Sequence, residues 1–209
     1  AQMQYARRRL LMQVDDGDVA LSIGDAESVQ SLDTFPTDAG ARLQQQRVRD
    51  LLQQHELTEV NRDLLLDENV VLQTAVTMPL AAESNLRQAL AYEMDRHTPF
   101  KADEVFYNCF NLSRDREAGQ LHFDLYVTPR EPVEAKVELL QRLGLAPTGV
   151  DVKAGNGTLG INLLPDDMRH RIIHQQVEDG HHDQRQHRRD QDAEDQRDRE
   201  TVEDRVVED

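Results

Sequence analysis

The 209-residue chain carries 40 acidic and 24 basic side chains, for a formal net charge of −16. That balance excludes a nucleic-acid binder built on phosphate neutralisation, and unaided docking on an anionic membrane surface. Hydrophobic residues make up 38% of the chain and aromatics 4%, with no Trp. This is lean for a chain packed throughout, so part of it is expected to stay outside any core.

The first stretch, AQMQYARRRLLMQV, joins a basic cluster to a short apolar run, and Asp15 and Asp16 cut that run too short for a secretory signal. The absence of an initiator Met is expected to mark a fragment or a processed start. Residues 10–23 read as a β-hairpin. Met12 and Val14 lie on one strand, Val19, Leu21 and Ile23 on the other, and Asp15-Asp16-Gly17-Asp18 forms the turn. Residues 24–38 (GDAESVQSLDTFPTD) are rich in turn formers and read mainly as loop. Ala39–His55 reads as a helix with Asp38 as its N-cap and Leu43, Val48, Leu51 and Leu52 as its apolar stripe.

Asp63–Leu66 is a short apolar run, and Val70–Met78 alternates as a strand does until Pro79 removes a ladder donor. A helix follows from about Ala81 to His97. Leu86, Leu90 and Met94 face the core, Ala82, Ala89 and His97 widen the stripe, and Thr98-Pro99 ends it. Val105–Leu112 is strand-like with apolar groups on both faces, as in a strand covered on both sides. After the turn SRDREAGQ comes a half-buried strand, with Leu121, Phe123, Leu125 and Val127 inward and His122, Asp124 and Tyr126 outward. Pro132 suits the first position of a second helix lined by Val133, Val137, Leu140 and Leu143, and Gly144 its C′ position. Thr148–Val152 is a last short strand.

From Val70 to Val152 the order is β-α-β-β-α-β, the ferredoxin-like arrangement. The class is therefore α+β: a ferredoxin-like unit over residues 63–152, preceded by a hairpin and helix in residues 1–62 of the same domain. A Gly-rich linker is expected at 153–165. Residues 166–209, almost entirely Asp, Glu, Arg, Gln and His, form a charged low-complexity tail that cannot bury enough apolar surface to order itself, and disorder or a solvated helix is expected.

Chemistry-bearing residues are few. Five of eight histidines (His170, His174, His181, His182, His187) fall in the tail, where no rigid shell would orient them, so no metal site is assigned. Glu93, Asp95, Arg96 and His97 crowd the end of the long helix, but with no nucleophile nearby the i,i+4 pairing of Glu93 and His97 reads as helix-end stabilisation. Cys109, the one cysteine, excludes an internal disulfide. It has no basic neighbour along its strand and reads as packing. Gly155, Gly157 and Gly160 match the spacing G-x-G-x-x-G, yet no helix opens there, and no P-loop motif occurs. No catalytic residue, cofactor or small-molecule substrate is assigned, and no apolar run approaches the ~20 residues that span a bilayer.

The run MPLAAESNLRQALAYEMDRHTPFKADEVFYN, then VTPREPVEAKVELLQRLGLAPTGVDV and INLLP, resembles the cytoplasmic part of PilN/GspL-type proteins. These are inner-membrane assembly-platform components of type IV pili and type II secretion systems. The same segment is similar to a subdomain of actin-like PilM, which implies a partial actin-like, RNase H-like domain and, as an alternative function, a nucleotide-binding ATPase fragment. The acidic turn at Asp15–Asp18 speaks against phosphate binding. The resemblance implies a non-enzymatic scaffold at the cytoplasmic face of the inner membrane, with PilM-, PilO-, GspE- or GspM-type partners or a second copy of itself. In the membrane-bound members a transmembrane helix follows N-L-L-P. The tail that stands there instead is expected to be an out-of-frame or truncated reading, and the chain as given to be cytoplasmic. Interface residues are expected at the helix corner, Glu93, Asp95, Arg96, Pro99 and Phe100, and on the following strand, Phe106 and Phe110.

Overall fold

The computed structural model describes residues 9–24, 27–38, 40–58, 60–165 and 168. The chain divides into units 1–169 and 170–209, and the described residues all lie in the first. The expectations for the charged tail and its histidines therefore fall outside the described residues.

Strand β1 (Arg9–Asp15) pairs antiparallel with β2 (Asp18–Gly24), and the turn sits at Asp16-Gly17 as its composition requires. Val19, Leu21 and Ile23 are buried, one face of an alternating strand. In β1, Leu10, Leu11 and Met12 are all buried, so both faces are covered at the centre of the sheet.

Residues 24–38 do not form a loop: β3 (Val29–Pro36) pairs antiparallel with β2. A register shift between Leu21 and Ser22 leaves Leu32 as the extra residue, so Val29, Leu32 and Phe35 fall three apart and the alternation is broken. Because β3 runs on through Pro36, helix α1 (Ala41–Gln54) starts late, with Gly40 and not Asp38 at its N-cap. Its buried face runs through Gln44, Val48 and Leu52, while Leu43 is 75% exposed. Gln44 turns inward because its amide donates to the Pro36 carbonyl.

Strand β4 (Arg62–Leu66) lies parallel to β1 on one side and to β8 (Gly149–Ala154) on the other, and β9 (Gly157–Thr158) closes a hairpin against β8. The six-stranded order is β3-β2-β1-β4-β8-β9. Between β4 and β8 the chain builds a separate three-stranded sheet, β5-β7-β6, from β5 (Leu72–Pro79), β6 (Val105–Asp115) and β7 (Gln120–Pro129). Helix α2 (Leu86–His97) covers one face of that sheet, and a 3-10 turn over Leu80–Asn85 precedes it where a longer helix was expected. Leu90 and Met94 pack with Val76, Met78, Leu121, Phe123, Leu125 and Val127. Thr98, extended at φ −142°, stops the helix before Pro99.

The β-α-β-β-α-β order is present, but the ferredoxin-like sheet over 63–152 is not. Its last strand, β8, pairs with β4 instead of β5. Val150, Asp151 and Val152 are all buried, a central-strand pattern that an edge position beside β5 could not satisfy. Two further expectations shift. Tyr126, assigned outward, is 8% exposed because the outer face of the small sheet is covered over its first half, whereas Leu112, towards the far end of β6, is 38% exposed. Helix α3 (Arg130–Arg142) begins with Pro129 at the N-cap, so Pro132 is its third residue, where its missing N–H is still one of the unpaired first-turn donors. Val133, Val137, Leu140 and Leu143 are buried as expected. Gly144 (φ +76°) closes the helix in a Schellman pattern, with Gly144 N–H donating to Gln141 and Leu145 N–H to Leu140.

Candidate functional site

The corner after α2 is built by a short hydrogen-bond relay. The Thr98 hydroxyl donates to the Met94 carbonyl at 2.9 Å, and Phe100 N–H donates to the Thr98 hydroxyl at 3.2 Å. Lys101 N–H donates to Glu104 at 2.9 Å, which opens the turn leading into β6. Asp95, Arg96 and Pro99 are exposed at this corner, and Glu93 is half-buried, 3.3 Å from Arg96 and 3.7 Å from His97. Such surface pairs contribute little to stability. Phe100 turns inward and packs against the core of the small sheet.

The two strand residues lie elsewhere. The β6–β7 register sets Phe106, Asn108 and Phe110 opposite to Val105, Tyr107 and Cys109, the face that meets α2. Phe106 is 1% exposed, with the Arg130 guanidinium 4.5 Å from its ring centre, so it is withdrawn from any surface. Phe110 is half-buried and meets Tyr126 edge-on, with ring centres 6.4 Å apart. The sheet itself thus separates the α2 corner from Phe110, and the seven expected interface residues do not form one patch. Cys109 is half-buried, and desolvation pushes its thiol up to about 11, against a smaller opposing pull from Arg87. It is a protonated packing residue at neutral pH.

The densest polar cluster is one that local sequence reading missed. Arg9 is 4% exposed, and its Nη1 lies 2.5 Å from Asp63 and 3.0 Å from Asp151, while Nη2 donates to the Thr158 hydroxyl at 2.6 Å. Burial disfavours the guanidinium charge, but the two carboxylates outweigh it and raise the Arg9 pKa. Asp151 also accepts from the N–H groups of Val152 and Ile161. One cation therefore ties the central strands β1, β4 and β8 to the β9 hairpin. A signal existed in GVDV and RDLLL, since an acid inside an apolar strand needs a buried partner. Its partner, 54 and 142 positions away, is not locally readable.

Residues 153–165, expected to be a linker, are built into the same region. Ile161, Leu163 and Leu164 are buried. Leu163 N–H donates to the Val150 carbonyl, and the Asn162 side-chain oxygen accepts from the N–H groups of Val150 and Leu164. The Asn162 carbonyl accepts from Asn108 of β6 at 2.7 Å. At Gly149, a Cβ would stand 2.5 Å from Asp63 Oδ1 and 2.8 Å from Asn162 Nδ2, so only glycine fits there. The segment INLLP is thus clamped between the two sheets.

A half-open apolar groove of about 490 Å³ lies beyond the end of α2, where the helix no longer covers the start of β5. Among the described residues no cluster of three His, Cys, Asp or Glu could hold a metal. No helix among them is long and apolar enough to cross a membrane.

No family model matches the chain. The type II secretion system protein L of Xanthomonas campestris pv. campestris is 31% identical over 165 residues, 78% of this chain and 43% of that protein. The chain resembles the secretion L proteins over most of its length. It spans less than half of the curated relative it matches. Among solved structures, the cytoplasmic domain of EpsL, an inner-membrane component of the type II secretion system of Vibrio cholerae, aligns over 70% of this chain and 57% of that one, with TM-score 0.46 and 15% identity. A PilM-PilN type IV pilus biogenesis complex aligns over 69% and 47%, with TM-score 0.49 and 20% identity.

Proposed function

We propose that this chain is a non-catalytic platform part of a type II secretion system, working at the cytoplasmic face of the inner membrane by docking other subunits of the machine. The observation that carries this reading is the 31% identity with a secretion L protein across 78% of the chain. The chemistry of the domain agrees with it. The buried Arg9, Asp63 and Asp151 are engaged with one another, the single cysteine is held protonated, and Glu93 pairs with Arg96 on the surface. The order β3-β2-β1-β4-β8, with a second sheet inserted between β4 and β8, supports the actin-like half-domain expected from sequence.

The clamp at INLLP supports a mechanical element of the same role. The chain leaves the domain through a segment whose main chain is hydrogen-bonded to β8 and β6, so its exit is fixed relative to both sheets. A force or displacement on the following segment would be transmitted to the surfaces of both. The partners are subunits of the GspE-, GspM-, PilM- or PilO-type, or a second copy. Affinity capture of each purified subunit of the cognate machine on the immobilised full chain tests the proposal. Capture of at least one is expected, and capture of none overturns it.

A further inference from the structure

The small sheet ends at β5, which has no strand on its outer side among the described residues. In a closed β-α-β-β-α-β sheet the last strand lies beside the first. Here that strand, β8, is taken by β4, and among the described residues no strand pairs with the outer side of β5. Among the described residues, nothing in the strand itself blunts this edge. From Leu72 to Pro79 the strand carries no charged residue, its pairing with β7 has no bulge, and its one proline is its last residue. Natural proteins otherwise guard exposed edges with lysines, prolines or bulges, because a row of unpaired N–H and C=O groups templates another strand.

The apolar groove opens at the start of the same strand. Val70 and Leu72 stand at its mouth, 46% and 37% exposed, and Phe100 and Val127 lie deeper in it. Among the described residues, Lys136 of α3 is the one charged side chain lining it. In a chain of net charge −16, a lone cation on an apolar groove beside a charge-free edge selects for an anionic partner group. A second copy pairing through its own β5 offers none, since that strand contains no carboxylate.

We propose that the free edge of β5 and the adjoining groove form a β-addition site for an extended segment of another protein. The segment is apolar at alternate positions, so that one side chain enters the groove beside Leu72, and it carries a carboxylate that pairs with Lys136. Main-chain hydrogen bonds along β5 supply affinity, and the groove and Lys136 set register and choice of partner. The proposal rests on the platform reading only for the source of the segment.

The test uses fluorescein-labelled ten-residue peptides alternating Val and Thr, with a single Asp moved along the series, and a matched series with Lys in place of Asp. Anisotropy titrations against the full chain are expected to show one Asp register binding at least tenfold tighter than its Lys counterpart. Lys136→Glu should reverse that preference, and Ala75→Pro should abolish binding with the circular dichroism spectrum unchanged. If Ala75→Pro does not fold, the half-exposed Lys136→Glu carries the test alone. Equal binding of the two series, or binding unaffected by Lys136→Glu, overturns the site. So does a dimer in sedimentation equilibrium that disappears in Ala75→Pro, because the edge then belongs to a second copy. Capture of a secretion subunit equally by the wild type and both variants refutes the edge site and leaves the platform reading standing. Peptide binding without capture of any subunit does the reverse.

Discussion

Asn108, in the middle of β6, donates from its side-chain amide to the main-chain carbonyl of Asn162 at 2.7 Å. This bond joins the three-stranded sheet to the segment that runs along β8 of the six-stranded sheet. Asn162 acts in both directions, since its own side chain accepts from Val150 and Leu164. Asn162→Ala would leave two main-chain donors without their acceptor, at a cost of about 1–3 kcal/mol for each that stays buried. Urea unfolding should show a lower midpoint, with protease cleavage after Leu159 faster than in the wild type. An unchanged midpoint would show that INLLP is not held by this clamp.

Arg9 faces two carboxylates at 4% exposure. Arg9→Met keeps the length of the side chain and removes its charge, leaving Asp63 and Asp151 as buried acids. Breaking a buried ion cluster by removing one partner costs roughly 3–5 kcal/mol. The expected outcome is a large fall in thermal midpoint. Replacing Asp151 by Asn in the same variant should recover part of the loss, because one of the two buried carboxylates that Arg9 had paired is gone while the Val152 and Ile161 donors keep an acceptor.

The Cys109 thiol, raised to about 11 by burial, should react slowly. At pH 8 the folded protein holds roughly 100-fold fewer thiolates than the unfolded chain, so Ellman's reagent should label it far faster in urea than in buffer. The sign for stability follows. The folded thiol binds its proton more tightly than the unfolded one, so its contribution is present below the ordinary thiol range and is lost as pH rises towards about 11. Rapid native labelling at pH 8 would contradict this placement.

Much of this fold was legible because strong local patterns coincide with burial: the β1–β2 hairpin, the alternation of β7, the stop at Thr98-Pro99 and the Gly144 cap. The misses share one cause, which is pairing decided at long range. The bulge at Leu32 hid β3, and a carbonyl acceptor from Pro36 drew Gln44 inward in place of Leu43. In β8, Asp151 meets Arg9, a residue 142 positions away in the sequence, which no local pattern reveals. The two expected interface groups, at the corner after α2 and on β6, belong to opposite faces of the small sheet. Alternation along β6 set Phe106 and Phe110 on the sheet face away from that helix.

The turn Asp15-Asp16-Gly17-Asp18 bears on the nucleotide alternative. Asp15, Asp16 and Asp18 are all exposed at the tip of the β1–β2 hairpin, where their field opposes an approaching phosphate. Isothermal titration of the chain with Mg-ATP should give no saturable heat at millimolar nucleotide. Micromolar binding would favour a nucleotide-dependent role instead.

The platform role itself is most directly tested by hydrogen exchange of the full chain, alone and mixed with each purified subunit of its secretion machine. At least one subunit is expected to slow amide exchange within residues 60–165, above all along β5, while leaving the Arg9–Asp63–Asp151 strands as protected as before. Exchange profiles unchanged by every subunit would contradict a docking role for this domain.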